Sequence, residues 1–125
     1  MSRGPRPRVA IDEALAVARQ RGTVQVAGDN PESLYDFAIV SASPVAFVRV
    51  KYAARILAPE IDIVTGYRDD IARLLSMPQE TAISRELWLR SKHGTWRFFR
   101  VTAGALTGLG RDGRPLAGPA GSGVK

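Results

Sequence analysis

Three charged side chains stand inside an otherwise apolar stretch, Asp36, Arg49 and Lys51, within residues 35–52 (Tyr-Asp-Phe-Ala-Ile-Val-Ser-Ala-Ser-Pro-Val-Ala-Phe-Val-Arg-Val-Lys-Tyr). Burying a charge is costly, so a charge kept inside a strand has a partner or a task. Residues two apart on a strand share a face, which joins Arg49 to Lys51. With residues 41–44 as a hairpin loop, Val40 pairs with Val45, Ala38 with Phe47 and Asp36 with Arg49. All three charges then gather on one face. The carboxylate can hold the cations as an ion pair.

A second constellation occupies residues 85–101, where Trp88, Trp96, Phe98 and Phe99 interleave with Arg85, Arg90, Lys92, Arg97 and Arg100. Cations beside aromatic faces suit nucleic acid, the cations meeting phosphates and an indole meeting bases. The same pattern also serves an amphipathic edge hairpin whose arginines stack on aromatics and block edge pairing. Both readings stay open. His93, the sole histidine, adjoins Gly94 in a turn and supports neither a zinc site nor a triad. The glycines of residues 104–123 lack the Gly-x-x-x-x-Gly-Lys pattern of a phosphate loop.

The elements that must position these groups follow from periodicity. Ile11, Ala14, Leu15, Val17 and Ala18 fall on one helical face within residues 9–21, with Gly22 as a stop. Residues 23–27, 34–40 and 45–52 read as strands, the latter two apolar on both parities and hence central. Pro59 suits a first helical position and Ile71, Leu74 and Leu75 keep helical spacing. Thr65-Gly66 weakens the earlier part of that segment, so the helix is assigned to residues 67–77, and Pro78 ends it. Two strands, 85–91 and 95–102, close the order around Lys92-His93-Gly94. Helix, three strands, helix, two strands implies an α/β domain over residues 9–102, with a mixed five-stranded sheet flanked by helices. Residues 1–8 are expected to be a flexible basic arm. Residues 103–125, with seven glycines and two prolines, are expected to be a Gly-rich disordered tail.

On these residues the chain resembles the PD-(D/E)xK nuclease superfamily, most nearly its small archaeal Holliday-junction-resolvase branch. That branch has a helix with an acid, a strand bearing aspartate, and a strand ending in Glu-x-Lys about a dozen residues later. Here Glu13, Asp36 and Arg49-Val50-Lys51 stand in that order. The resemblance covers roughly residues 9–102. It implies a restriction-endonuclease-like fold, with Asp36 as a metal-binding aspartate and Lys51 as the catalytic lysine of a magnesium-dependent endonuclease. Arg49 departs from the pattern: it occupies the place of the second metal-binding acid, and a permanently charged guanidinium repels a metal ion. Either Arg49 replaces the metal by pairing with Asp36, leaving a degenerate site with no cofactor, or the missing acid comes from Glu60 or Asp62 and completes a magnesium site with Asp36.

Bulk properties frame these alternatives. The chain has 125 residues, a net charge of +6 and no cysteine, which excludes disulfides and thiolate chemistry. No apolar run approaches the roughly 20 residues that span a bilayer. A cytoplasmic location and no membrane partner are the expectations. Residues 1–8 carry +3 and residues 85–100 carry +4, against −3 over residues 9–84. Three functions follow: a degenerate nuclease-fold protein binding DNA or RNA through residues 85–100 and its arms, an active endonuclease, or a protein-interaction module in which the aromatic hairpin forms a homodimer.

Overall fold

The apolar stripe near the N-terminus winds into α1 (Arg8–Arg19), which buries Ala10, Ile11, Ala14, Val17 and Ala18. A computed structural model describes residues 8–28, 33–41 and 43–116. The expected basic arm therefore lies outside the described residues up to position 7, and Arg8 already opens α1. After α1 come three strands, β1 (Val24–Val26), β2 (Phe37–Ile39) and β3 (Val45–Tyr52). They pair as an antiparallel meander, with Ala38 opposite Phe47 as the alternation requires.

The connection from β3 to β4 (Ile83–Arg90) contains two helices, α2 (Glu60–Gly66) and α3 (Arg68–Leu75). The single helix expected over residues 67–77 thus has a short partner before it. The break falls at Tyr67, whose φ of −118° and ψ of 33° leave the helical region directly after Gly66. Asp69 and Asp70 then sit in the first turn of α3, where acids complement the positive end of the helix dipole. This crossover returns β4 parallel to β3 over eight residue pairs, from Val45 with Ile83 to Tyr52 with Arg90.

Two further antiparallel strands follow, β5 (Trp96–Thr102) and β6 (Ala105–Leu109). The sheet therefore has six strands in the order β1-β2-β3-β4-β5-β6, one more than expected. The extra strand lies in the stretch assigned to a tail. Leu106 and Leu109 supply its buried side chains, and Gly104 at a φ of +84° allows the tight turn from β5. Ordered structure continues through a bridge between Leu109 and Pro115; the rest of the expected tail, residues 117–125, lies outside the described residues.

Alternation along the strands builds two cores. Phe37, Ile39, Ala46, Val48, Val50, Trp88, Phe98 and Leu109 face α1. Leu87, Leu89, Phe99, Val101 and Leu106 face α2 and α3, with Ile63, Ile71 and Leu74. The result is a three-layer α/β domain with a mixed sheet in the middle, and β3 and β4 are covered on both faces.

Candidate functional site

Arg49 and Lys51 leave β3 on the side of α3 and converge on Asp70. Arg49 donates from Nε to Asp70 Oδ1 at 3.0 Å, and its Nη2 lies 2.9 Å from the same oxygen. Lys51 Nζ stands 3.6 Å from it. The Arg49 side chain is 3% exposed, and its Nη1 is held by the Ser33 carbonyl at 3.0 Å. Beside this group, burial pushes the Tyr67 phenol above its ordinary value, with the Asp70 charge adding to the rise; its hydroxyl donates to the Tyr52 carbonyl at 2.7 Å. The pairing of Arg49 with Lys51 was legible from their spacing. Asp70 was not among the expected residues.

Asp36 does a different job. It lies one residue before β2, its N–H donates to the Val48 carbonyl, and its Oδ2 accepts the Val50 N–H at 2.7 Å. The carboxylate therefore stands in for a backbone acceptor where the β2–β3 ladder ends. Expected as the partner of Arg49, Asp36 holds the β3 backbone, while Arg49 takes Asp70. Glu60 and Asp62, the candidates for a relocated metal ligand, are exposed in the first turn of α2. Asp62 reaches Arg55 at 3.7 Å across a solvated surface. No group of three or more His, Cys, Asp or Glu side chains that could hold a metal ion occurs among the described residues.

On the α1 side of the sheet stands a second buried acid. Glu86 of β4 has no exposed surface, and each of its oxygens takes two donors. Oε1 accepts Arg21 Nη1 at 2.9 Å and the Trp88 indole N–H at 2.9 Å. Oε2 accepts Arg21 Nη2 at 3.1 Å and the Ser84 hydroxyl at 2.7 Å. Arg100 donates from Nε to that hydroxyl at 3.1 Å and extends the network toward the surface. A two-pronged guanidinium–carboxylate fork with every acceptor filled is the geometry in which a buried pair offsets its desolvation.

Further along the same face, Glu13 of α1 accepts Arg90 Nε and Nη2, both at 2.9 Å, and the Trp96 indole N–H at 3.1 Å. Glu13, an acid on the leading helix, thereby ties α1 to the β4–β5 hairpin. Hydrogen bonds from Arg90 and Trp96 hold its carboxyl below the ordinary 4.5, with the Arg90 and more distant Arg111 charges helping. A depressed carboxylate contributes stability that is present above the unfolded value and is lost as pH falls through the folded one. Thermal midpoints followed from pH 6 to pH 3 should therefore show wild type above Glu13→Gln at the upper end, with the gap closing on acidification. Two parallel curves would remove the pair as a source of acid sensitivity.

No family model matches the chain, and no curated protein or solved structure matches it. The candidate site therefore rests on geometry.

That geometry gives most of the side chains expected on a nucleic-acid surface over residues 85–100 partners within the domain. Trp88 is fully buried and edge-on to Phe37, Trp96 and Phe98, so its indole has no face for a base. Arg85 is buried and donates to the Met77 carbonyl at 3.1 Å. Arg97 donates to the Ile56 and Ala58 carbonyls at 3.0 and 2.8 Å and lies over the Phe99 ring. Arg90 is engaged by Glu13, and Arg100 reaches Ser84. Of the six expected contacts only Lys92 is exposed. The hairpin turns its cations inward because its neighbours, α1, the β3–α2 connection and the end of α3, present carboxylates and unpaired carbonyls to both of its faces.

Proposed function

We propose that the chain is a nuclease-fold domain, restriction-endonuclease-like in its core, that binds nucleic acid without cleaving it. Three features support the fold: a leading helix, an antiparallel three-stranded meander, and a helical crossover to a strand parallel to the third. Asp36 and Lys51 also stand where the PD-(D/E)xK resemblance places its aspartate and lysine. The observation that carries the non-cleaving half is the Arg49–Asp70 pair. A buried guanidinium fills the place of the second metal ligand, and the carboxylate that faces it also draws Lys51. Two cations at that point repel a divalent ion, and the ammonium is held by Asp70 rather than offered to a water. The binding half rests on the net charge of +6 and on arginines that the core does not consume.

The full chain should release no product from single-stranded, duplex or branched DNA, or from RNA, when magnesium or manganese is added. It should bind the same substrates at about 50 mM salt and lose most of that affinity by about 200 mM. Metal-dependent cleavage that disappears in Asp36→Ala would overturn the non-cleaving half, and absence of binding at the lower salt would overturn the other.

A further inference from the structure

One concavity gathers four arginines. It is a cleft of about 790 Å³ between the end of α1, the β2–β3 turn, β5 and the turn after β6. Arg21, Arg100, Arg111 and Arg114 line it, and Asp112 is its one acid among the described residues. Two of the four cations are fixed from behind: Arg21 by its fork to Glu86, and Arg100 by the Ser84 hydroxyl and, at 3.5 Å, the Gly113 carbonyl. The other two face solvent. The Arg114 N–H donates to Asp112 Oδ1 at 3.0 Å, but its guanidinium approaches that carboxylate only to 3.9 Å, with both side chains mostly exposed. Such a contact contributes little. The Arg111 guanidinium rests 5.9 Å from the Phe98 ring, and no carboxylate pairs with it among the described residues. With Arg21 answered by Glu86 and one further charge offset by Asp112, four cations less two acids leave an excess of two positive charges around the hollow, which favours an anion.

We infer that this cleft is a phosphate-binding site, and that it is where the backbone of a nucleic-acid strand lies. The inference rests on the nucleic-acid half of the proposed function. Guanidinium forks match the oxygens of a phosphate in pairs, and the hydroxyls of Ser41 and Ser43 on the rim can donate beside them. The volume falls within the range of about 300–1,000 Å³ typical of ligand sites. No aromatic side chain lines it. A strand held there is gripped by its phosphates and not by its bases, so binding is independent of sequence. The aromatic rings that could have read bases are packed into the core instead.

The test uses the full chain and labelled 20-nucleotide single strands and duplexes, titrated between 50 and 200 mM salt. The Arg111→Ala/Arg114→Ala double variant is compared with a control pair, Arg55→Ala/Arg68→Ala, whose side chains are exposed and line no part of the cleft. The cleft variant should bind at least about tenfold more weakly at 50 mM, and its slope of log affinity against log salt should fall by about one to two. The control pair should change affinity by less than threefold. Equal losses in the two variants, or none in either, would overturn the cleft while leaving the proposed function standing. A third arm adds pyrophosphate without oligonucleotide. If wild type binds no oligonucleotide but pyrophosphate raises its thermal midpoint and not that of the cleft variant, the phosphate site stands and its ligand is a free phosphate; the nucleic-acid half of the function then falls.

Discussion

Replacing Glu86 with alanine is expected to destabilise the domain by about 3–5 kcal/mol, because it strands the charge and donors that converge on it. For a chain of this size that corresponds to a thermal midpoint lower by about 10–20 °C. The loss has three parts. The Arg21 guanidinium, only 11% exposed, is left without its fork. The Trp88 indole N–H, at the centre of the α1-side core, loses its acceptor. The Ser84 hydroxyl loses its own, and with it the anchor that steadies Arg100. Glu86→Gln should fall between wild type and alanine, since a carboxamide oxygen still accepts from Trp88 but cannot answer the charge of Arg21. Adding Arg21→Ala to Glu86→Ala should recover part of the loss, giving a coupling energy above about 1 kcal/mol in the double-mutant cycle. If the two single losses simply add, or if Glu86→Ala shifts the midpoint by less than a few degrees, the fork is not holding this face of the sheet.

Asp70→Ala is expected to have an effect of similar size on the other face. Arg49 is less exposed than Arg21, and Asp70 is the carboxylate that meets it from α3. Removing that carboxylate leaves a guanidinium buried beside the Lys51 ammonium, about 3–5 kcal/mol less stable by the same reasoning. The Ser33 carbonyl compensates for a fraction, since it accepts from Nη1 alone. Arg49→Met should be much milder than Asp70→Ala, because it removes the charge together with the need to answer it and leaves Asp70 near enough to solvent to hydrate. Chemical denaturation of both variants checks this order. Equal losses would mean that the packing of the arginine stem, and not the pairing of its charge, is what matters there.

Much of this architecture was legible in the chain, and the failures at the site share one cause. The limits of β3 and the β4–β5 hairpin followed from alternation, apolar runs and the Lys92-His93-Gly94 turn. The shared face of Arg49 and Lys51 followed from their spacing. What spacing could not give was the identity of partners brought in from elsewhere. Asp70 lies 21 residues from Arg49, Arg21 lies 65 from Glu86, and Glu13 lies 77 from Arg90. Read locally, residues 85–100 hold five cations against one acid and look like a surface awaiting phosphate. In the fold Arg90 is answered by Glu13, Arg85 and Arg97 by backbone carbonyls and Arg100 by the Ser84 hydroxyl, and the lone acid is the most deeply enclosed carboxylate among the described residues. The strand β6 was hidden for a different reason. Seven glycines in residues 103–125 drew attention from Leu106 and Leu109, two leucines at positions that the neighbouring strand could bury.

The parallel seam between β3 and β4 carries both buried networks at adjacent positions, with Val48 beside Glu86 and Arg49 beside Leu87. Glu86 points to α1 and Arg49 to α3. Sliding one strand past the other by a single residue turns every side chain of the moved strand to the opposite face. Glu86 would then enter the layer that holds Asp70, carboxylate toward carboxylate, and Arg21 would be left facing apolar side chains. An all-apolar seam, rich in valine and leucine on both faces, would tolerate that slip at modest cost. With its buried charges in place, the seam has one alignment in which each charge meets its complement. Their contribution is uniqueness: they act as teeth that key the two halves of the sheet together.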